Sequence, residues 1–225
     1  MFQIKTYNKI APSGLALLPQ PDYLCGEAVE PPDAILVRSA NLLEMDLPKN
    51  LLAIGRAGAG VNNIPVSRCS EEGVAVFNTP GANANAVKEL TLLGLLLSAR
   101  RIAPALQWVQ ELPPQEPVEQ LVEKAKSQFK GPELKGKALG VIGLGAIGIQ
   151  VANLACHLGM QVYGYDPYLS VDGAWNLSRT IHHAQSLEEI YQACDFITLH
   201  LPLNDSTRGM MDANALAAMR QGVRL

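Results

Sequence analysis

The stretch from Lys137 to Pro167 reads KALGVIGLGAIGIQVANLACHLGMQVYGYDP, and it decides the fold of the second half of the chain. It begins with a short apolar run, Ala138 to Ile142, which is typical of a strand buried on both faces of a parallel sheet. Apolar residues then recur at helical spacing until Gly159, where the predicted helix ends, and a second apolar strand runs from Gln161 to Tyr165. This order predicts a Rossmann-type unit.

Three glycines, Gly143, Gly145 and Gly148, form a G-x-G-x-x-G pattern between the first strand and the helix. Gly143 is expected to allow the tight turn, Gly145 to let the backbone approach a pyrophosphate, and Gly148 to let the helix pack close to its strand. The helix N-terminus offers free N–H groups and a positive dipole end. The pattern therefore predicts a dinucleotide site, and the alternative is a Rossmann-like unit that binds something else or nothing.

An acidic residue completes the predicted site. Asp166 follows the second strand, eighteen residues after Gly148, where a carboxylate can accept both hydroxyls of an adenosine ribose. The same carboxylate would repel a 2′-phosphate, so the sequence favours NAD over NADP.

The composition describes a soluble globular protein. Of the 225 residues, 48% are hydrophobic and 17% are charged, and the net charge is −3. This charge gives no electrostatic reason to expect nucleic acid or an anionic membrane as a partner. The longest apolar run, Leu90 to Leu97, is too short to cross a bilayer, and the N-terminus reads as a strand rather than a signal peptide. We expect a cytoplasmic protein.

The cysteines are scattered and show no metal-ligand spacing, so we expect no metal site. Two of them fall in predicted secondary structure, Cys156 in the nucleotide-binding helix and Cys194 just before a strand, and we expect both to be buried thiols in a reducing compartment. The other two are Cys25 and Cys69.

The first hundred residues alternate between short apolar strands and irregular or helical segments, which predicts a small parallel α/β domain. The segment from residue 8 to residue 32 is rich in Pro and Gly and predicts only one short helix. The predicted strands are Phe2 to Tyr7, Ala34 to Val37, Leu51 to Ile54 and Val74 to Phe77, and a helix is predicted from Ser67 to Glu72.

A glycine-rich segment, Gly55 to Asn63, follows the third of these strands and carries a guanidinium at Arg56. Its glycines can turn several N–H groups toward an anion, and Arg56 can form bidentate hydrogen bonds with a carboxylate or phosphate. The alternative is a glycine-rich turn with a solvated arginine. A second segment, Asn78 to Gly81, also follows a strand and could face the same cleft, although by itself it reads as a turn.

A long apolar helix is predicted from Ala84 to Arg101. Because it is apolar on more than one face, it is either buried between domains or against a second subunit, or it is an ordinary core helix. We place the domain boundary here, with a first domain at residues 1–98 and a second at 99–225. The Pro-rich stretch Glu111 to Pro117 reads as a surface connection, and a polar helix from Val118 to Lys130 follows.

The last sixty residues continue the Rossmann pattern. Residues Leu169 to Thr180 read as a loop, and Ser186 with Glu189 forms a capping box that starts a helix. A strand from Asp195 to Leu199, a helix from Asp212 to Arg220 and a new strand from Val223 are predicted next. Because the sheet then lacks the elements that would complete it, we expect the 225 residues to be a fragment or a truncated product.

Five segments together resemble the D-isomer-specific 2-hydroxyacid dehydrogenases. The resemblance implies a flavodoxin-like parallel α/β substrate domain followed by an incomplete Rossmann NAD-binding domain, and a homo-oligomer that assembles through the NAD-binding domain. The matching segments are RAGAGVNNI at 56–64, FNTPG at 77–81, ELKGKALGVIGLGAIG at 133–148, YDP at 165–167 and CDFITLHLPLNDSTRGMM at 194–211.

The resemblance also implies residue roles. The substrate would be a small anion, a phosphorylated 2-hydroxy acid, held by Arg56, by the backbone of Ala57, Gly58, Ala59 and Gly60, and by Asn78. NAD would be bound by Thr79, Gly143, Gly145, Ala146, Ile147, Gly148, Asp166 and Leu201. His200 belongs to the strand-end motif without being the family's catalytic histidine, and we expect it to be a packed structural side chain.

Two departures from the family pattern limit these expectations. Ala146 stands where many relatives carry Arg or another polar residue, so only the backbone and the helix dipole would hold the phosphates. The family's catalytic Arg, Glu and His have no counterpart in these 225 residues, so no catalytic residue is assigned. Two alternatives therefore stay open: a non-catalytic NAD-binding or partner-binding module, and a dehydrogenase of another 2-hydroxy acid.

Overall fold

The computed structural model describes residues 1–113 and 117–225, which form two compact units, Met1–Asn83 (unit 1) and Ala84–Leu225 (unit 2). The boundary lies before the long apolar helix, not near residue 98 as expected from the sequence. The cause is packing, since Leu95 and Ala99 of that helix belong to the apolar core that contains Leu139 and Val151 of unit 2.

Unit 1 is built on a five-stranded parallel sheet whose strand order is β2-β1-β3-β4-β5. This is the flavodoxin-like order. Helix α2 packs near β5, and its Cys69 joins the buried residues Ile35, Val37 and Ile54 in one apolar core. The strands are β1 Phe2–Tyr7, β2 Tyr23–Gly26, β3 Ala34–Val37, β4 Ala53–Arg56 and β5 Ala75–Asn78, and the helices are α1 Pro12–Leu15 and α2 Val66–Glu71.

The strands β4 and β5 lie slightly later in the chain than the apolar pattern predicted. Strand β4 begins only where Ala53 pairs with Ala34 of β3, because Leu51 is held in a turn by a hydrogen bond from its N–H to the carbonyl of Pro48. As a result, Arg56 and Asn78 are the last residues of their strands and are paired with each other. The sequence did not predict β2, and α2 begins one residue early, at Val66.

Unit 2 contains a four-stranded parallel sheet in the order β8-β7-β6-β9, which is half of a Rossmann sheet. All five residues of β6 are buried, as expected for a strand covered on both faces. The strands are β6 Ala138–Ile142, β7 Gln161–Tyr165, β8 His182–His183 and β9 Phe196–Leu199. The helices are α3 Ala84–Ala99, α4 Ile102–Gln110, α5 Val118–Ala125, α6 Gly148–His157, α7 Val171–Trp175, α8 Leu187–Ala193 and α9 Ala213–Ala218, with a 3₁₀ turn at Lys126–Phe129.

Several helices of unit 2 differ from the sequence prediction. The helix predicted from Ala84 to Arg101 ends at Ala99, and α4 follows it. The helix predicted from Val118 to Lys130 becomes a 3₁₀ turn after Ala125. The segment Leu169 to Thr180, predicted as a loop, contains α7, because the hydroxyl of Ser170 accepts a hydrogen bond from the N–H of Gly173 and caps the helix.

The C-terminal elements are close to those predicted. The hydroxyl of Ser186 caps α8 by accepting from the N–H of Glu189 at 3.3 Å, but the Glu189 carboxylate bonds to the N–H of Gln185 instead of completing the capping box. The strand expected from Val223 is a single bridge between Phe196 and Arg224.

The predicted surface connection from Glu111 to Pro117 includes residues 114–116, which lie outside the described residues. Among the residues described, no helix combines the length and the apolar character that a bilayer crossing requires.

Candidate functional site

The glycine turn after β6 has three different local environments. Gly143 has a φ of 90°, and a Cβ there would lie 2.6 Å from the carbonyl oxygen of His200. A Cβ on Gly148 would lie 1.9 Å from the carbonyl oxygen of Gly143, so α6 packs against the turn at a distance that only glycine permits. Gly145 has no atom within 4 Å of such a Cβ. Of the three glycines, Gly145 is therefore the one that leaves space for a ligand.

Four consecutive backbone N–H groups of this turn have no hydrogen-bond acceptor among the described residues. The first backbone hydrogen bond of α6 runs from the N–H of Ile149 to the carbonyl of Gly145. In the part of the chain that the structure describes, no group accepts from the N–H groups of Gly145, Ala146, Ile147 and Gly148. Four free donors at the positive end of a helix are suited to an anion such as a pyrophosphate.

Asp166 lies at the carboxyl end of β7 and is fixed by two backbone donors. Its Oδ2 accepts from the N–H of Leu144 at 2.8 Å, and its Oδ1 accepts from the N–H of Tyr168 at 2.9 Å. An ionised carboxylate has about four acceptor positions, so each oxygen keeps capacity for a further hydrogen bond. The carboxylate is thus held beside the glycine turn with unused acceptor capacity on both oxygens.

Leu201 and His200 lie at the carboxyl end of β9. Leu201 is half-buried and helps to line a cavity of about 280 Å³ with Pro202 and Thr207. Burial lowers the pKa of His200, and its Nε2 lies 3.1 Å from the Thr198 hydroxyl. This environment favours the neutral form of the imidazole.

In unit 1, Arg56 is held in place by its neighbours. Its Nε donates to the carbonyl oxygen of Arg38 at 3.1 Å. A Cβ on Gly58 would lie 2.1 Å from Nη1 of Arg56, so the absence of a side chain at Gly58 makes room for the guanidinium. The remaining guanidinium N–H groups are available to an anion.

The segments after β4 and β5 come together within unit 1. The N–H of Thr79 donates to the carbonyl of Gly58 at 3.0 Å, and the amide of Asn78 donates to the carbonyl of Ala59 at 2.6 Å. Within residues 1–113 and 117–225, no acceptor is present for the N–H groups of Ala59 and Gly60. Unit 1 therefore has a guanidinium and free amides at one sheet edge, as an anion site requires.

The sequence analysis missed Arg38, which the structure places beside Arg56. Arg38 directly follows β3, whose last residue, Val37, is paired with Arg56. It is exposed, and neither arginine forms an ion pair within the described ranges. The signal was available, because Arg38 is a charged residue immediately after an apolar strand, where the carboxyl ends of parallel strands bind ligands.

The expected cofactor residues are divided between the units. Thr79 lies in unit 1, and the other seven lie in unit 2. In the two described ranges, no group of three or more His, Cys, Asp or Glu side chains is placed to hold a metal ion.

Unit 2 thus combines a Rossmann half-sheet, a glycine turn with free amides and an anchored carboxylate after the second strand, which defines the class of nucleotide-cofactor-binding domains. The family model for "D-isomer specific 2-hydroxyacid dehydrogenase, NAD binding domain" matches residues 92–225. The chain therefore belongs to the D-isomer-specific 2-hydroxyacid dehydrogenases, a family of NAD-dependent oxidoreductases, as the sequence resemblance indicated.

Similar proteins carry several names. The chain is 37% identical over 198 residues to D-3-phosphoglycerate dehydrogenase of Methanocaldococcus jannaschii, covering 87% of this chain and 36% of that protein. It is 38% identical over 194 residues to hydroxypyruvate reductase of Thermotoga maritima, covering 85% of this chain and 58% of that protein. The chain thus spans between about one third and three fifths of these relatives.

A solved structure supports the fold. D-lactate dehydrogenase of Aquifex aeolicus, complexed with NAD and lactic acid, superposes with a TM-score of 0.79 at 23% identity, covering 98% of this chain and 67% of that chain.

Proposed function

We propose that this chain supplies the cofactor-binding and substrate-anchoring parts of an NAD-dependent D-3-phosphoglycerate dehydrogenase, which transfers hydride at C2 of 3-phosphoglycerate in the first step of L-serine biosynthesis. One observation carries the cofactor half of this proposal: the anchored carboxylate of Asp166 adjoins four free amides of the glycine turn. The name of the archaeal relative and the two adjacent arginines of unit 1 support the substrate half.

The residues of unit 2 fit a dinucleotide. The N–H groups of Gly145 to Gly148 bind the pyrophosphate, and the open space at Gly145 lets it approach the backbone. Asp166 accepts the adenosine ribose hydroxyls and disfavours a 2′-phosphate, which selects NAD. The bound nicotinamide would supply the hydride acceptor. Leu201 would line the site beyond β9, and Thr79 would contribute a cofactor contact.

The residues of unit 1 fit a substrate with two anionic groups. Arg56, the free amides of Ala59 and Gly60, and Asn78 would hold one of these groups. Arg38, one residue beyond the strand position paired with Arg56, would hold the other. 3-Phosphoglycerate carries a carboxylate and a phosphate, and each can form charge-assisted bidentate hydrogen bonds with a guanidinium.

The chemical step would need groups that these 225 residues do not contain. The resemblance assigns proton transfer to a His oriented by a Glu, and polarisation of the C2 oxygen to an Arg. A positioned general acid–base contributes about 10²- to 10⁴-fold in rate. We therefore expect the 225-residue chain to bind its ligands and to turn over negligibly.

Two binding titrations test the proposal. NADH should bind the wild-type chain, and Asp166→Ala should weaken that binding. 3-Phosphoglycerate should bind in an Arg56-dependent manner, with Arg179→Gln in unit 2 as the control for loss of one positive charge. Rapid NADH formation by the wild-type chain, or binding of neither ligand to folded protein, contradicts the proposal.

The bacterial relative named hydroxypyruvate reductase favours a second candidate within the same enzyme class, a dehydrogenase of a different 2-hydroxy acid. Arg38→Gln distinguishes the two candidates. It should weaken binding of 3-phosphoglycerate and leave D-glycerate unaffected if Arg38 binds the phosphate.

We also propose a cytoplasmic location and a homo-oligomer that assembles through unit 2. Exposed leucines on α3, namely Leu90, Leu93 and Leu97, favour an apolar contact there. The same surface would serve the alternative of a partner-binding module. Sedimentation of the wild-type chain and of Leu90→Ser tests for this contact, and a monomer at all concentrations counts against it.

A further inference from the structure

The two faces of β7 adjoin different cavities of unit 2. Tyr163 and Tyr165 pack against the apolar core that Leu201 also contacts, on the side of the cavity described above beyond β9. Gly164 lies between these tyrosines in the strand and therefore faces the opposite way. A second cavity of about 280 Å³ lies on that opposite face, with Ala174 of α7 at its rim. We call it the α7 cavity.

The interior of the α7 cavity is apolar. Leu144 and Gly164 are its buried residues, and a Cβ on Gly164 would lie 3.0 Å from Cδ1 of Leu144. The side chain of Leu144 thus lies over the bare backbone of Gly164. The half-buried side chains of Leu169, Leu177 and Ile181 surround them. A ligand between these side chains would remove their exposed surface from water.

The rim of the α7 cavity carries hydrogen-bonding groups. His183 of β8 is paired with Gly164 of β7, so its imidazole lies beside a position that has no side chain. The Nδ1 of His183 lies 3.3 Å from the side-chain amide of Gln185, and its Nε2 has no partner in the described ranges. Ser178 adds a hydroxyl to the same rim. No carboxylate, lysine or arginine is among the described residues that line the cavity.

We propose that the α7 cavity binds a neutral phenol, with its aromatic ring among Leu144, Leu177 and Ile181 and its hydroxyl at the imidazole of His183. An apolar cavity of about 150 Å³ holds a benzene ring, so the α7 cavity has room for one ring with a small substituent. A neutral ligand is favoured because the interior offers no partner for a charge. The hydroxyl can donate to one imidazole nitrogen or accept from it.

The α7 cavity is distinct from the expected cofactor site, although Leu144 contributes to both. The N–H of Leu144 donates to Asp166, whereas its side chain lines the α7 cavity. Asp166 and Leu201 do not line that cavity. A phenol and a dinucleotide can therefore be bound at the same time on opposite faces of β7.

Three probes test the chemistry of the ligand: p-cresol, toluene and 4-hydroxybenzoate, each titrated at neutral pH into ¹⁵N-labelled protein and followed by amide chemical shifts. p-Cresol should bind saturably, with its largest shifts at Leu144, Gly164 and Leu177. 4-Hydroxybenzoate has polar groups at both ends, one of which must enter the apolar interior, so it should bind about tenfold more weakly or less. No saturable binding of p-cresol, equal affinity for the two phenols, or largest shifts at Leu201 and Thr207 overturns the proposal.

A matched pair of histidine variants tests the position of the hydroxyl. His183→Phe keeps an aromatic ring and removes both nitrogens, so the preference for p-cresol over toluene should fall by about 3- to 10-fold, the value of one hydrogen bond. His157→Phe, at an exposed position of α6, should keep the preference of the wild type. An unchanged preference in His183→Phe contradicts the assignment.

A matched pair of alanine variants tests the position of the ring. Ala174→Leu places a larger side chain at the rim of the cavity and should weaken both p-cresol and toluene. Ala217→Leu, the same change at an exposed position of α9, should leave both affinities as in the wild type. Thermal melts confirm that the variants are folded. Wild-type affinity for both probes in folded Ala174→Leu refutes the assignment.

A competition experiment separates the α7 cavity from the cofactor site. Saturating NADH should leave p-cresol bound, with the same shifts at Gly164 and Leu177. Displacement of p-cresol by NADH shows that the two share one site and overturns the proposal. Binding of p-cresol with these shifts to protein that fails to bind NADH supports the α7 cavity and contradicts the proposed function alone.

Discussion

The carboxylate of Asp166 accepts a hydrogen bond from the backbone N–H of Leu144, which precedes it by 22 residues, at 2.8 Å. This contact joins the end of β7 to the glycine turn that follows β6. The carboxylate that we propose for the ribose and the turn that we propose for the phosphates are therefore joined before any ligand is bound, and a change at either one should affect the other.

Replacing Asp166 with Ala should weaken NADH binding about 10- to 100-fold, because a hydrogen bond to a charged group contributes about 1.5–3 kcal/mol. Isothermal titration with NADH measures the effect. Asp172→Ala, which removes an exposed carboxylate from the first turn of α7, is the matched control and should bind normally. Equal affinity of Asp166→Ala and wild type would contradict the assignment.

The two glycines Gly145 and Gly148 should respond oppositely to the same substitution. A methyl group on Gly145 meets no atom within 4 Å, so Gly145→Ala should keep the melting temperature and lose NADH affinity. A methyl group on Gly148 would lie 1.9 Å from the carbonyl oxygen of Gly143, so Gly148→Ala should destabilise unit 2 by about 1–3 kcal/mol. Thermal melts and NADH titrations of both variants check this. Normal NADH binding by Gly145→Ala would show that the pyrophosphate lies elsewhere.

The stability of unit 2 should fall on acidification because of His200. Burial lowers the pKa of this imidazole below its ordinary value of 6.5, which it regains in the unfolded chain. Between the two pKa values the unfolded chain binds more protons, so the free energy of unfolding decreases as the pH falls through this range. Urea unfolding at about pH 8 and about pH 5.5 should show a smaller loss for His200→Gln than for wild type. His183→Gln, at an exposed site, should behave as wild type.

Thiol reactivity should divide the cysteines into two pairs. All four are free; Cys69 and Cys194 are buried, whereas Cys25 and Cys156 are partly exposed. Burial, together with the nearby Asp195, raises the pKa of Cys194 to about 12. Since the thiolate is the reactive form, iodoacetamide should modify Cys25 and Cys156 in native protein and the other two only after unfolding. Mass spectrometry identifies the modified residues, and early labelling of Cys194 would contradict the packing around it.

The glycine turn could be predicted because each of its signals is local. An apolar strand, Gly143, Gly145 and Gly148, and an amphipathic helix follow each other within about twenty residues, and Asp166 lies at the end of the next strand. The turn itself, the close packing at Gly148 and the two parallel strands are present as the sequence indicated. The ligand roles of these residues remain predictions.

The limits of β4 could not be predicted, because hydrophobicity reports burial rather than strand pairing. Leu51 is only 4% exposed and packs in the core of unit 1, yet it lies outside the strand. The residues that belong to β4 are set by its register with β3, which is a property of the folded sheet. The same shift placed Arg56 at the end of the strand and brought it beside Arg38.

Short elements escaped prediction for a different reason. Strand β8 consists of two exposed histidines with no apolar alternation, and it exists only because β7 offers an edge. Helix α7 has five residues, and its stability depends on one side-chain cap at Ser170. In each case a tertiary or capping contact outweighs the local propensity of the residues.

The position of α3 has a practical consequence for dividing the gene. A gene divided after residue 98 would separate Leu95 from the apolar core that it forms with Leu139 of β6. Both protein fragments would then expose apolar surface to water. A division after Asn83 would keep each compact unit whole. Helix α3 thus belongs to the nucleotide-binding unit, although it comes before the first strand of that unit in the chain.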